Sequence, residues 1–210
     1  MLKINDIKTI HCGSLSENAY LVCPEGRDDA FIVDPGDGLH PLMLALQASG
    51  RKLAAILLTH GHFDHILAAQ PLNELHDAPV YIHALDAEML DSPNKSSYMP
   101  NVCQLEPPED LPREHYGSTL EVCGVKLQII HTPGHSMGSV CLYDPEGKIM
   151  FSGDTLFRAG YGRSDLYGGN NVDLIRSLKS LLTTLPAETI VLSGHGNETN
   201  IGLEKRRYGL

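Results

Sequence analysis

Within six consecutive positions the chain carries His60, His62, Asp64 and His65. Imidazole nitrogens and carboxylate oxygens are ligands for zinc, iron and manganese. Four such groups in so short a segment are costly to bury unless a cation neutralises and orders them. Three more residues of the same chemistry stand beside glycines: His135 after Pro133-Gly134, Asp154 after Gly153, and His195 between Gly194 and Gly196. Alone, each reads as an exposed histidine or a turn aspartate. Together with the 60–65 run they make seven ligand-type side chains. A single zinc takes three or four, so two cations sharing a carboxylate is the economical arrangement, with Asp154 as the natural bridge. No CxxC pair supplies sulfur ligands, which leaves zinc, iron and manganese as the metals that suit the set.

For these groups to meet, distant segments must deliver them to one place, and the hydrophobic pattern says how. The apolar run at 53–59 reads as a buried strand ending at His60, followed by a helix over 66–76 in which Pro71 predicts a kink or a break. Residues 119–122 and 125–130 alternate about Gly124 as a hairpin whose second strand runs toward His135. Residues 139–143 and 149–152 flank Asp144-Pro145-Glu146-Gly147 ahead of Asp154, and 189–192 is a strand ahead of His195. Four strand ends therefore open into glycine-containing loops that bear ligand-type side chains, and a strand end is a rigid mount.

The remaining pattern supplies the cover. Residues 18–23 and 30–34 read as a hairpin about Pro24-Glu25-Gly26, and 41–49 as a helix closed by Gly50. Residues 80–83 read as a strand and 84–90 as a short helix. The stretch 172–185 is the clearest amphipathic helix, with Asn171 placed to cap it. The Pro-rich stretch 92–112 reads as an irregular, functional cover. Strands and helices alternate without a linker, which predicts one α/β domain of mixed sheets covered by helices.

Composition excludes several classes. The chain has 210 residues, 42% hydrophobic and 20% charged, which is ordinary globular usage. Sixteen Lys and Arg against 26 Asp and Glu give −10, so no broad positive field exists to attract nucleic acid or an anionic membrane. The longest apolar run, 53–58, is far short of the ~20 residues that span a bilayer, and the first residues hold no apolar signal core. A cytoplasmic location is expected. The five cysteines, Cys12, Cys23, Cys103, Cys123 and Cys141, are scattered and odd in number, which reads as free thiols in a reducing compartment.

Six segments carry a family resemblance: Asp34-Pro35-Gly36; Thr59-His60-Gly61-His62-Phe63-Asp64-His65; Thr132-Pro133-Gly134-His135-Ser136-Met137-Gly138-Ser139; Ser152-Gly153-Asp154-Thr155-Leu156-Phe157; Gly162-Arg163-Ser164-Asp165; and Ser193-Gly194-His195-Gly196. In these the sequence resembles the metallo-β-lactamase-fold hydrolases, most closely their glyoxalase II-like (hydroxyacylglutathione hydrolase-like) branch. The resemblance implies an αββα sandwich with metals at one edge. It places His60, His62 and His135 on a first metal, Asp64, His65 and His195 on a second, and Asp154 between them, with two zinc ions per chain expected. Asp34 matches a position that supports the ligand loop from behind. Long glyoxalase II enzymes add a C-terminal helical domain. Here only residues 197–210 follow the last ligand, so a single domain over 1–210 without that addition is expected, and Glu204-Lys205-Arg206-Arg207 reads as a solvated charged tail.

The implied activity is a metal-dependent hydrolase in which hydroxide generated between two metals attacks a thioester such as S-lactoylglutathione, with Asp64 as general base. Arg163, beside Tyr161, would hold an anionic substrate. The alternative is a persulfide dioxygenase of the same fold, with one iron on His60, His135 and Asp154. The acidic charge argues against a nuclease of this fold, and Asp154 departs from the residue that β-lactamases proper place there.

Overall fold

Strands that are apolar on both sides demand cover on both faces, and this chain meets that demand with two six-stranded sheets packed face to face between helices. The computed structural model describes residues 1–97 and 111–210. The first sheet holds β1 (Ile7–Cys12), β2 (Glu17–Val22), β3 (Asp29–Val33), β4 (Lys52–Leu57), β5 (Val80–Ile82) and β6 (Arg113–His115) in that spatial order. β1 to β3 pair antiparallel and β3 to β6 parallel. Between β3 and β4 lies α1 (Leu39–Ser49), and between β4 and β5 lie α2 (Phe63–Ile66) and α3 (Ala69–His76). A 3₁₀ turn (Ala84–Asp86), α4 (Ala87–Leu90) and α5 (Pro93–Ser96) follow β5.

The second sheet holds β7 (Thr119–Val122), β8 (Val125–His131), β9 (Val140–Asp144), β10 (Ile149–Gly153), β11 (Ile190–Ser193) and β12 (Thr199–Asn200). Only β10 and β11 run parallel, bridged by α6 (Asn171–Thr184), and the described chain closes with α7 (Ile201–Arg207). The order of layers is helix, sheet, sheet, helix, as the resemblance implies.

Three cores follow from strand alternation. Phe31, Val33, Ala55 and Leu57 of the first sheet meet Leu127, Leu142, Phe151 and Leu192 of the second, and the Tyr20 and Phe151 rings lie 5.3 Å apart across the gap. The alternate residues Ile32 and Ile56 face Leu42 and Leu46 of α1 and Leu72 of α3. Met150 and Val191 face Leu174, Leu178, Leu181 and Leu182 of α6. Each such leucine contributes about 1.5–3 kcal/mol by leaving water, so the strand ends that carry the ligand residues are held between packed layers.

The structure adjusts several expectations. The helix expected over 66–76 is broken, but at Leu67 and Ala68. Pro71 sits inside the first turn of α3, where its missing N–H has no helical acceptor to lose. Asn170, not Asn171, caps α6, accepting from the Val172 and Asp173 amides at 2.9 and 3.2 Å; its extended backbone turns the side chain back on the helix. Pro93–Ser96 is helical within the stretch expected to be irregular. The rest of that cover, 98–110 with Cys103, lies outside the described residues. The other four cysteines are free thiols.

The charged tail is not solvated at Glu204, which is 0% exposed on α7. It accepts from Thr199 Oγ1 and from the Ala159 amide at 3.0 Å, fastening the loop after Asp154 to the C-terminal helix. Among the described residues no helix is long and apolar enough to cross a membrane.

Candidate metal centre

The C-terminal ends of β3, β4, β10 and β11, with the loop after β8, converge at one edge of the sandwich. β4 opens into the 59–65 loop, in which His62 precedes α2 and Asp64 and His65 lie on that single turn of helix. The loop after β8 turns through Gly134 to His135, held by the Gly134 amide on the Ser136 carbonyl. β10 ends at Gly153 with φ +47°, a left-handed conformation that costs glycine least, and Asp154 projects from there. Gly194, after β11, keeps room for the site: a Cβ at that position would lie 2.3 Å from Asp154 Oδ1 and 2.6 Å from His65.

All seven expected ligand residues come together. His60, His62 and His135 each offer an atom within 4.8 Å of the other two, and so do Asp64, His65 and His195. Asp154 stands between the two groups. Its Oδ2 is 3.5 Å from His135 Nε2 and 3.6 Å from His195 Nε2, and its Oδ1 is 3.5 Å from His65 Nε2.

The far side of most rings is tethered. Thr59 Oγ1 meets His60 Nδ1 at 3.0 Å, the Arg163 carbonyl accepts from His135 Nδ1 at 2.7 Å, and Asp34 Oδ2 lies 3.1 Å from His65 Nδ1. Each tether directs the opposite nitrogen inward, the arrangement that fixes tautomer and ring angle in metal-binding histidines. His62 Nδ1 faces His135 Nε2 at 2.8 Å.

The inward atoms fit a cation. His60 Nε2, His65 Nε2 and Asp154 Oδ1 are buried and have no hydrogen-bond partner, an expensive condition for polar atoms that a metal relieves. Electrostatics differ across the site. Burial, reinforced by the neighbouring imidazoles, pushes His60 and His62 well below the usual histidine range. Burial acts the same way on His65, but Asp64, Asp154 and the hydrogen bond to Asp34 override it and hold the imidazole well above that range. Burial opposes ionisation of Asp64, yet His65 and His195 outweigh it and keep the carboxyl below its usual range.

Asp34 stands behind the ligand loop, buried, with a left-handed backbone at φ +47°. It accepts from the Thr59 amide and hydroxyl, both at 2.7 Å, as well as facing His65. Arg163 lines the cleft over the site, but its guanidinium is engaged bidentately by Asp165 at 2.6 and 2.8 Å. Tyr161 does not line the cleft; its ring lies beside Tyr208 with centroids 6.3 Å apart. The cleft has a volume of ≈ 230 Å³, and Leu15, Phe63, Phe157 and Leu166 give it apolar walls.

Two buried carboxylates beside the ligand residues escaped the sequence reading. Glu17 is fully buried at the start of β2, 3.7 Å from His65 Nδ1, with both oxygens unpartnered; burial pushes its carboxyl well up. A charged residue opening an otherwise buried strand was the available signal. Asp86 is 1% exposed and sits in a short helical segment with no sequence mark of its own.

Comparison with known proteins agrees with this geometry. The profile of the Metallo-beta-lactamase superfamily matches residues 12–195. The probable metallo-hydrolase YqgX of Bacillus subtilis is 40% identical over 195 residues, 92% of this chain and 91% of its own. Hydroxyacylglutathione hydrolase GloC of Haemophilus influenzae is 32% identical over 205 residues, 96% of this chain and 95% of its own. Among solved structures, BLEG-1 B3 metallo-beta-lactamase superposes with TM-score 0.88 at 35% identity, covering 95% of this chain and 96% of its own. TTHA1623 in a di-iron-bound form superposes with TM-score 0.84 at 43% identity, covering 95% and 97%.

Proposed function

The chain belongs to the metallo-beta-lactamase superfamily of metal-dependent hydrolases, and from that premise we propose that it is a dinuclear thioesterase of the glyoxalase II type. The observation that carries the reading is Asp154, placed by its two oxygens between two groups of three ligand-type side chains. His60, His62 and His135 would hold one ion, Asp64, His65 and His195 the other. When bound, two such ions lower the pKa of a shared water toward ~7 and polarise a carbonyl oxygen.

The chain's own groups set the stage for that chemistry. Asp64, ionised at neutral pH and 3.2 Å from His195 Nε2, accepts and orients a water proton beside the ligands. Phe63, Phe157, Leu15 and Leu166 exclude bulk water from the scissile carbonyl, and ≈ 230 Å³ suits a small acyl group with its thiol carrier extending past Arg163. Burial pushes the thiols of Cys12, Cys123 and Cys141 up to about 12, which leaves these three almost no thiolate at neutral pH. Thioester specificity is supported by the relationship to GloC along nearly the full length of both chains. Zinc suits the nitrogen and carboxylate donors, and iron suits them as well.

The di-iron-bound form of TTHA1623 puts iron in a structure 43% identical to this chain, and iron is the metal of a second reading, a persulfide dioxygenase with one iron on His60, His135 and Asp154. Metal analysis of anaerobically purified protein separates the two when paired with assays of S-lactoylglutathione hydrolysis, opening of a cephalosporin ring and oxygen uptake with glutathione persulfide. About two ions per chain with thioester cleavage as the fastest reaction is the expected result. Near one iron with oxygen consumption would replace it with the dioxygenase, and faster ring opening would replace it with a lactamase.

A further inference from the structure

One buried carboxylate reaches both loops that build the His60, His62 and His135 group. Asp86 ends the 3₁₀ turn between β5 and α4. Its Oδ1 accepts from the Gly138 amide at 2.6 Å, and its Oδ2 accepts from the Ser136 hydroxyl at 2.6 Å and the Gly61 amide at 3.2 Å. Gly61 is the residue between His60 and His62, and Ser136 is the residue after His135. Ser136 is itself tied to Ser139, whose Oγ lies 2.6 Å from Ser136 Oγ and accepts from the Ser136 amide at 3.1 Å. The approach leaves no slack: a Cβ on Gly138 would lie 2.7 Å from Asp86 Cγ, and one on Gly61 would lie 2.6 Å from Met89 Cβ. Asp86 meets the 59–65 loop only at Gly61, between His60 and His62, and none of these hydrogen bonds is made to α2, which carries Asp64 and His65, or to the loop of His195.

We infer that Asp86 is a positioning residue for the three-histidine group alone, clamping the 60–62 segment to the 135–138 loop so that three imidazoles from two distant segments keep one fixed spacing. Three donors converge on two oxygens, a demand that an acceptor-only carboxylate meets and an amide does not. In Asp86→Asn the amide NH₂ must face the Gly138 N–H or the Ser136 and Gly61 donors. At least one buried donor then loses its acceptor while the volume is unchanged. The inference rests on the two-metal reading of the site.

The test is a competition titration of the zinc-loaded full chain with a chromophoric chelator, which yields two dissociation constants, together with metal analysis and the thermal midpoint of the metal-free protein. A wild-type chain that binds fewer than two ions overturns the two-metal reading itself, whatever Asp86 does. With two ions bound in the wild type, Asp86→Asn is expected to weaken one ion about 10–100-fold, the range for losing an outer-shell partner, and to leave the other unchanged. In a His195→Ala background, where the three-histidine group is the intact one, the same weakening should remain.

Equal weakening of both ions overturns the inference. So does a lowered metal-free midpoint with both affinities intact, because that pattern marks a purely structural residue. Should Asp86→Asn fail to fold, Ser136→Ala removes one donor and leaves the carboxylate on Gly61 and Gly138. It should show the same one-ion selectivity severalfold more weakly, and unchanged affinities there overturn the inference as well.

Discussion

The two ligand groups touch, with the His60 and His65 rings 4.2 Å apart, yet they are built on opposite electrostatic plans. His60, His62 and His135 are 1, 4 and 3% exposed and held by neutral partners, the Thr59 hydroxyl and the Arg163 carbonyl. Burial keeps His60 and His62 neutral, so each presents a lone pair without first losing a proton. Asp64, His65 and His195 lie among carboxylates, with Asp34 behind His65 and Asp154 in front. There the His195 side chain is 26% exposed at the cleft. The first group depends on geometry, because imidazole donors attract a cation only when correctly spaced. The second depends on charge, because carboxylates attract a cation from any approximate position.

Removing what the two groups share should erase the comparison and give the largest effect. Asp154→Ala takes away the carboxylate that faces both, so kcat/KM for the thioester should fall about 10³-fold or more, matching the several kcal/mol that metal activation supplies. Elemental analysis should show both ions lost or weakened. Retention of two tightly held ions with full activity would show that the groups are independent after all.

Breaking one support at a time should come next. Asp34→Asn keeps the contacts to Thr59 in part but withdraws a charge from His65. The ion of the carboxylate-rich group is expected to weaken about 10–100-fold, with the three-histidine ion changed much less through Thr59. Chelator competition resolves the two. The reverse order would mean that Asp34 acts mainly through Thr59 and His60.

These contrasts also explain what the sequence made legible. His60, His62, Asp64 and His65 were readable because their crowding is improbable in an apolar setting, and His135, Asp154 and His195 because each follows a strand and sits beside glycine. The layers were readable because β3, β4, β10 and β11 are apolar on both faces and α6 on one. Glu17, Asp86 and Glu204 were not. Each is a lone acid whose burial depends on donors 25 or more positions away or on packing between layers, such as Gly138 for Asp86 and Ala159 for Glu204. The break in the helix before α3 was missed by a few residues because Pro71 is harmless in a first turn and offends only deeper in a helix.

The protonation contrast predicts an effect that varies with pH. In the metal-free protein His65 is raised above its usual value, so it holds a proton at and somewhat above pH 6.5 that an incoming ion must displace. His60 and His62 are lowered, so they hold none there. Lowering the pH from 8 to 6 should therefore weaken the ion of the Asp64, His65 and His195 group, by up to about tenfold per unit for one displaced proton. The three-histidine ion should weaken less over the same interval, because His60 and His62 bring no proton to displace. Competition titrations at several pH values measure both slopes, and parallel slopes would remove the distinction between the groups.

The smallest expected effect lies where the first group meets the cleft. The Arg163 carbonyl serves His135, whereas its side chain is paired with Asp165 in the open, so one residue reaches the three-histidine group with its backbone and lines the cleft besides. Arg163→Ala removes only the second. An exposed charge pair is worth about 0.2–1 kcal/mol, which bounds the change in KM for an anionic thioester at about fivefold, with kcat and both metal affinities unchanged. Asp165→Asn should act in the opposite sense, because a guanidinium released from its partner is freer to meet an anion. A fall in metal affinity in Arg163→Ala would mean that the side chain holds the loop in place, and that the cleft and the three-histidine group are a single unit.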